Sequence, residues 1–149
     1  MKYDDASWHY EGTYPKDLPD AASATHIGMF LSWMVINDRV SEALLEDAED
    51  ELGDLKERSI TGAQFVLSML DERITDQEFD KTGNAFALAY YQGLENDSRY
   101  IDDYFQAFGV NEQSLYRVDD TWANYDKLAG LIDARYKAWD EAGRPEYIV

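Results

Sequence analysis

Two histidines and three adjacent acid pairs are the residues in this sequence best suited to chemistry. His9 sits between Trp8 and Tyr10, and His26 stands at the start of an apolar run. Imidazole titrates near neutral pH, so either ring can act as a base, an acid or a metal ligand. Neither histidine falls in an H-E-x-x-H or E-x-x-H spacing, the patterns that set ligands on one helical face, and no metal centre is predicted. For His26 two readings stand side by side: a hydrogen-bonded core or cap residue, and a ligand or base. The pairs Asp4-Asp5, Asp102-Asp103 and Asp119-Asp120 could divide acid and base roles if their surroundings separated their pKa values. Consecutive helical residues point about 100° apart, however, so Asp102 and Asp103 would not face one substrate. Asp119-Asp120 is accounted for by helix capping and the helix dipole.

The densest acid run has no cation-binding pattern. Leu52 stands where an EF-hand needs glycine, and Gly53 comes one position late. Two readings remain for Glu42, Glu46, Asp47, Glu49, Asp50, Glu51 and Asp54: a solvated helix face, and a binding face for a basic protein. Between residues 42 and 57 eight acids stand against the single Lys56, which is more than solubility requires. The glycine-rich phosphate loops and the G-x-S-x-G nucleophile elbow are absent. Without cysteine there is no disulfide scaffold, thiolate metal site or cysteine nucleophile. No catalytic residue and no cofactor are predicted.

The elements that must position these residues are mostly helical. Thr25 can cap a helix to about Asn37 that is apolar on nearly every side from Ile27 to Ile36, as a central buried helix is. Ser41 caps a second, with Leu44, Leu45, Ala48, Leu52 and Leu55 as its apolar stripe. Thr61 with Gln64 and Thr75 with Glu78 match the capping-box spacing, the second opening only a short turn. Two helices are expected between Thr82 and Gly109, the first packing Ala85, Phe86, Ala89 and Tyr90, the second Tyr100, Ile101, Tyr104, Phe105 and Phe108. The last begins near Asp119-Asp120-Thr121 and carries a seam of Trp122, Tyr125, Ala129, Ile132, Tyr136 and Trp139. Residues 1–20 read as an aromatic arm, irregular or a short hairpin, with strands expected only there and around Ser114 to Val118. The predicted architecture is a single domain over 1–149, mostly α, a bundle of about five to six helices covered by the N-terminal arm.

Several strings in the chain are distinctive: Tyr3 to Tyr10, Tyr14 to Pro19, Ala24 to Trp33, Asn84 to Ala87 with Tyr90-Tyr91, and Asp120 to Tyr125. In these the sequence resembles a family of small, acidic, uncharacterised bacterial proteins built on a domain of unknown function. The resemblance transfers no catalytic residue and no cofactor. It implies a free-standing bacterial cytoplasmic protein, of a kind also found among immunity proteins of polymorphic toxin and contact-dependent secretion systems.

Charge points the same way. Asp and Glu number 31 against 13 Lys and Arg, a formal charge of -18, beside 45% hydrophobic residues that let the chain fold. Such a field can draw in a basic partner at high rate. Nucleic acid and anionic membrane are not expected partners, because the cations are scattered singly. Met1 to Asp5 lacks the apolar core of a signal peptide, and the run from Met29 to Ile36 is too short to span a bilayer, so the expected compartment is the cytoplasm. The sequence therefore predicts an acidic binding protein, an immunity protein that neutralises a cognate basic toxin or effector by occlusion, using the second helix. The alternative is a small-ligand binder or enzyme whose pocket gathers Trp8, His9, Tyr10, Lys16, Asp17 and His26.

Overall fold

No face of the segment from Ile27 to Val35 is polar, and the helix it forms lies at the centre of the molecule with every residue from Thr25 to Val35 buried. The computed structural model describes residues 1–149. In chain order the elements are β1 (Lys2–Asp5), α1 (Ala6–Tyr10), α2 (Thr25–Ile36), α3 (Glu42–Asp47), α4 (Glu49–Lys56), α5 (Gly62–Met69), β2 (Arg73–Thr75), α6 (Lys81–Phe86), α7 (Arg99–Phe108) and α8 (Trp122–Glu141). The molecule is mostly helical, with one contiguous core of 33 buried residues and more, shorter helices than periodicity alone predicts. No helix is long and apolar enough to cross a membrane.

The extra helices come from local breaks. The acid helix divides at buried Ala48, whose φ of -133° ends α3 before α4 begins. Leu45, expected on its apolar stripe, is 45% exposed, while Leu44, Leu52 and Leu55 are buried. Thr25 is the first residue of α2 and not its cap, because a 3-10 turn over Asp20–Ala24 feeds the helix directly. Thr61 and Gln64 form the expected capping box, whereas Thr75 and Glu78 close a turn and the next helix waits for Asp80 to cap it. In that helix Ala85 faces solvent and Phe86 turns inward, as do Ala89 and Tyr90 beyond its end. Thr121 caps α8.

The arm is no hairpin. Its strand, β1, pairs antiparallel with β2 some seventy residues away, and Leu115–Arg117 is a 3-10 turn where a strand was expected. The register slips between Lys2 and Asp4, and that bulge breaks the in-out alternation so that Tyr3, Asp4 and Asp5 are all buried.

Two further packing devices matter for the site. A Cβ on Gly28 of α2 would lie 2.1 Å from the Ala63 nitrogen, and one on Gly62 of α5 would lie 1.9 Å from the Gly28 carbonyl oxygen. Only glycine at both positions lets these helices touch backbone to backbone. After α6 the chain continues as a π-helix over Ala87–Gln92, whose wider turn sends the consecutive Tyr90 and Tyr91 inward.

Candidate functional site

The β1 bulge delivers a carboxylate to the interior. Asp4 is 6% exposed, and both its oxygens are engaged. Oδ1 lies 2.8 Å from His9 Nε2 and accepts the Asp5 backbone N–H at 2.8 Å. Oδ2 accepts the Tyr91 hydroxyl, which the π-helical turn aims at it, and lies 3.3 Å from His26 Nε2.

The two histidines arrive from different helices. Asp5 caps α1, its Oδ1 accepting the Ser7 N–H at 2.9 Å, and this fixes the helix that carries His9. His9 Nδ1 is 2.6 Å from the Tyr116 hydroxyl, so Tyr116, His9 and Asp4 form a series of polar groups. His26 sits in the first turn of α2, and its ring meets the His9 ring edge-on at 4.7 Å between centroids. It is 1% exposed, yet neither ring nitrogen has a hydrogen-bond partner. The Tyr104 hydroxyl, on a ring whose centroid is 6.1 Å from that of His26, is likewise buried without a partner.

Burial alone would raise the Asp4 pKa, but the two histidine rings against it, His26 and the hydrogen-bonded His9, outweigh it and hold the carboxyl well below the usual carboxylate range. For His26 burial dominates over the neighbouring Asp4 and lowers the pKa, so the ring stays neutral at neutral pH. The buried centre thus holds one carboxylate and a neutral imidazole, and every tautomer of His26 leaves an N–H and a lone pair unpaired. Such a centre can move a proton or hold a cation.

A second buried carboxylate is fully satisfied. Asp103 takes two bonds from Arg135, each 2.9 Å, and one from the Tyr90 hydroxyl at 2.6 Å. Its neighbour Asp102 points outward to Arg99 at 2.8 Å, the divergence that helical spacing predicts. The pairing locks α7, α8 and the π-helical turn together and leaves no capacity for chemistry.

The acid face is a separate region. Glu42, Glu46, Asp47, Glu49, Asp50 and Asp54 are exposed and Glu51 is half-buried. No ion pair in the chain uses an acid between Glu42 and Glu57. The one cation of the stretch, Lys56, pairs with Asp38 at 3.0 Å. Against α3 runs a groove of about 180 Å³, floored by Ala43, Ala48, Met69 and Leu70 and edged by Asp47 and Glu78. Met69, Leu70, Gln77 and Glu78 also line a larger depression of about 380 Å³, which adds Asp71 and Asp76 to the rim.

Of the six residues expected to gather in a pocket, only His9 and His26 meet. Trp8 is 54% exposed with the Lys2 ammonium 4.9 Å from its ring centroid. Tyr10 donates to Glu72 Oε2 at 2.9 Å, Asp17 pairs with Arg117 at 2.9 Å, and Lys16 faces solvent. The centre is completed instead by Asp4, Tyr91 and Tyr116. Nothing in local spacing marks these three, since a bulge, a π-helical turn and a 3-10 turn place them; the only trace was the aspartate pair at Asp4-Asp5.

Residues 2–118 match the model of a family described as a domain of unknown function (DUF7832), and the chain belongs to that family. The distinctive strings from Tyr3 to Tyr91 fall inside the matched segment, and Asp120 to Tyr125 falls beyond it. No curated protein and no solved structure matches the chain.

Proposed function

We propose that this member of the DUF7832 family is a bacterial, cytoplasmic binding protein that captures a basic protein partner on the acid face of α3 and α4. Capture of this kind suits an immunity protein, which neutralises a cognate toxin or effector by covering its working surface. The observation that carries the reading is the distribution of cations: ion pairs elsewhere occupy nine of the 13 Lys and Arg side chains, while the acids from Glu42 to Glu57 have none. Carboxylates left unpaired in this way keep their field for an incoming charge, and such steering raises association rates by roughly 10- to 1,000-fold. Leu45, 45% exposed, and Met69, 38% exposed, supply apolar contact beside the acids, and the groove floored by Met69 and Leu70 offers an anchor pocket.

The reading is tested by co-expression with the product of the neighbouring gene. Complex formation with an on-rate that falls steeply with salt, and rescue of cells expressing that product, are expected. Absence of both overturns it. A ligand-binding or enzymatic role is favoured by one observation, the convergence of Asp4, His9 and His26 on a single buried point.

A further inference from the structure

Asp4, His9 and His26 each offer a ligand atom, and the three atoms lie within 4.8 Å of one another although they come from a strand and two helices. A four-coordinate zinc-class ion, with bonds of about 2.0 to 2.2 Å, holds its ligands about 3.3 Å apart. His26 Nε2 stands at that spacing, 3.3 Å from Asp4 Oδ2, while His9 Nε2, now hydrogen-bonded to Asp4 Oδ1 at 2.8 Å, would move out by about 0.5 Å to admit the ion. We propose that these three residues bind a divalent first-row transition cation of the zinc class.

The independent observation is His26. A ring that is 1% exposed with neither nitrogen hydrogen-bonded is an expensive thing to bury, and a cation on Nε2 satisfies the nitrogen nearest Asp4. The surroundings have the form that supports such a site. A metal-binding imidazole usually donates its other N–H to an oxygen, which fixes the ring and the tautomer. His9 has the Tyr116 hydroxyl 2.6 Å from Nδ1 for that purpose, which frees the Nε2 lone pair to face Asp4 and His26. The Tyr91 hydroxyl and the Asp5 N–H steady the carboxylate.

Donor chemistry selects the ion. Two imidazoles and one carboxylate suit zinc, cobalt or ferrous iron, whereas calcium and magnesium prefer oxygen throughout. Three protein ligands leave a coordination position open, the arrangement of a zinc site that handles a substrate or water, in contrast to the closed four-ligand structural sites. His9 provides the route in: its side chain is 23% exposed, and its partner Tyr116 lines a surface depression with Thr13, Tyr14 and Glu112. None of these residues belongs to the acid face, so the inference does not rest on partner capture.

The test uses full-length protein stripped with a chelator, titrated with Zn²⁺ by calorimetry and with Co²⁺ by visible absorption. One equivalent per chain is expected, with the d–d bands of nitrogen-ligated cobalt and a rise in melting temperature on addition of Zn²⁺. His9→Gln and His26→Gln should each weaken binding at least about tenfold, and Tyr116→Phe, which leaves all three ligands in place, by roughly 10- to 100-fold. Because His26 is buried, circular dichroism of each variant establishes folding, and His9→Gln, at a partly exposed position, carries the test if His26→Gln does not fold. No saturable uptake overturns the proposal. So does uptake that survives His9→Gln, which would put the ion on the surface carboxylates. Charge reversal at Asp47 and Glu49 should leave Zn²⁺ binding unchanged while abolishing partner capture.

Discussion

Lys56 Nζ lies 3.0 Å from Asp38 Oδ1, and this pairing commits the only cation between residues 42 and 57 to an acid outside that stretch. Lys56 and Asp38 are 46% and 80% exposed at their side chains, so the bond between them is worth little to the fold. Its effect is on the field.

Replacing Lys56 with glutamine should therefore shift unfolding free energy by less than about 1 kcal/mol. It should at the same time speed association with the basic partner, more at low salt than at high. Urea melts and stopped-flow association rates measured on the same preparation check both halves.

Two glycines in helices should respond in opposite directions. Alanine at Gly28 would force a Cβ to within 2.1 Å of the Ala63 nitrogen and push α2 from α5, a loss of at least about 2 kcal/mol. Alanine at Gly130, in the middle of α8 with nothing within 4 Å, should stabilise by roughly 0.5 to 1 kcal/mol. Chemical denaturation midpoints of the two variants decide it.

Removing one member of the buried Asp103–Arg135 pair leaves the other unmatched. Asp103→Ala should cost about 3 kcal/mol, because the carboxylate also holds the Tyr90 hydroxyl. Tyr90→Phe, which deletes a single hydrogen bond, should cost about 1 kcal/mol. Comparison of the two by thermal unfolding separates the charge from the hydroxyl.

Alkaline unfolding should be cooperative. Burial raises the pKa of Tyr90, Tyr104 and Tyr125 above the ordinary phenol value, which is about 10. The folded state then holds more protons than the unfolded state above that pH, so stability is fully present below pH 10 and falls as pH climbs toward the raised values. Phenolate absorbance from these rings should appear together with loss of the far-ultraviolet helix signal. Earlier phenolate signal from them, with the helices intact, would contradict the burial described.

Legibility in the sequence followed the range of the interactions. The α2 run and the Trp122 to Trp139 seam depend on residues three and four apart, so they could be read directly, as could the Thr61–Gln64 capping box. The π-helical turn at Ala87–Gln92 and the break at Ala48 carry no local mark, because alanine favours helix and only packing overrides it. The inward position of Asp4, a residue visible only as half of an acid pair, was hidden for a stronger reason. Asp4 turns inward through a bulge in a strand whose partner, β2, lies some seventy residues on, and no spacing rule spans that distance. His9 and His26 could be named as candidates by residue type, but their meeting is a property of the tertiary fold. The acid face, a matter of composition over sixteen residues, was visible throughout, apart from the outward turn of Leu45.

Capture of a basic partner by the acid face is tested by reversing the field of that face and reading a biological effect. Glu46, Asp47, Glu49 and Asp50, all exposed on α3 and α4, would be replaced together by lysine in the full chain, with folding verified by circular dichroism. The unmodified protein should co-purify with the product of the adjacent gene and rescue cells expressing it, and the reversed variant should do neither while retaining its melting behaviour. Equal binding and equal rescue by the reversed variant would contradict the claim.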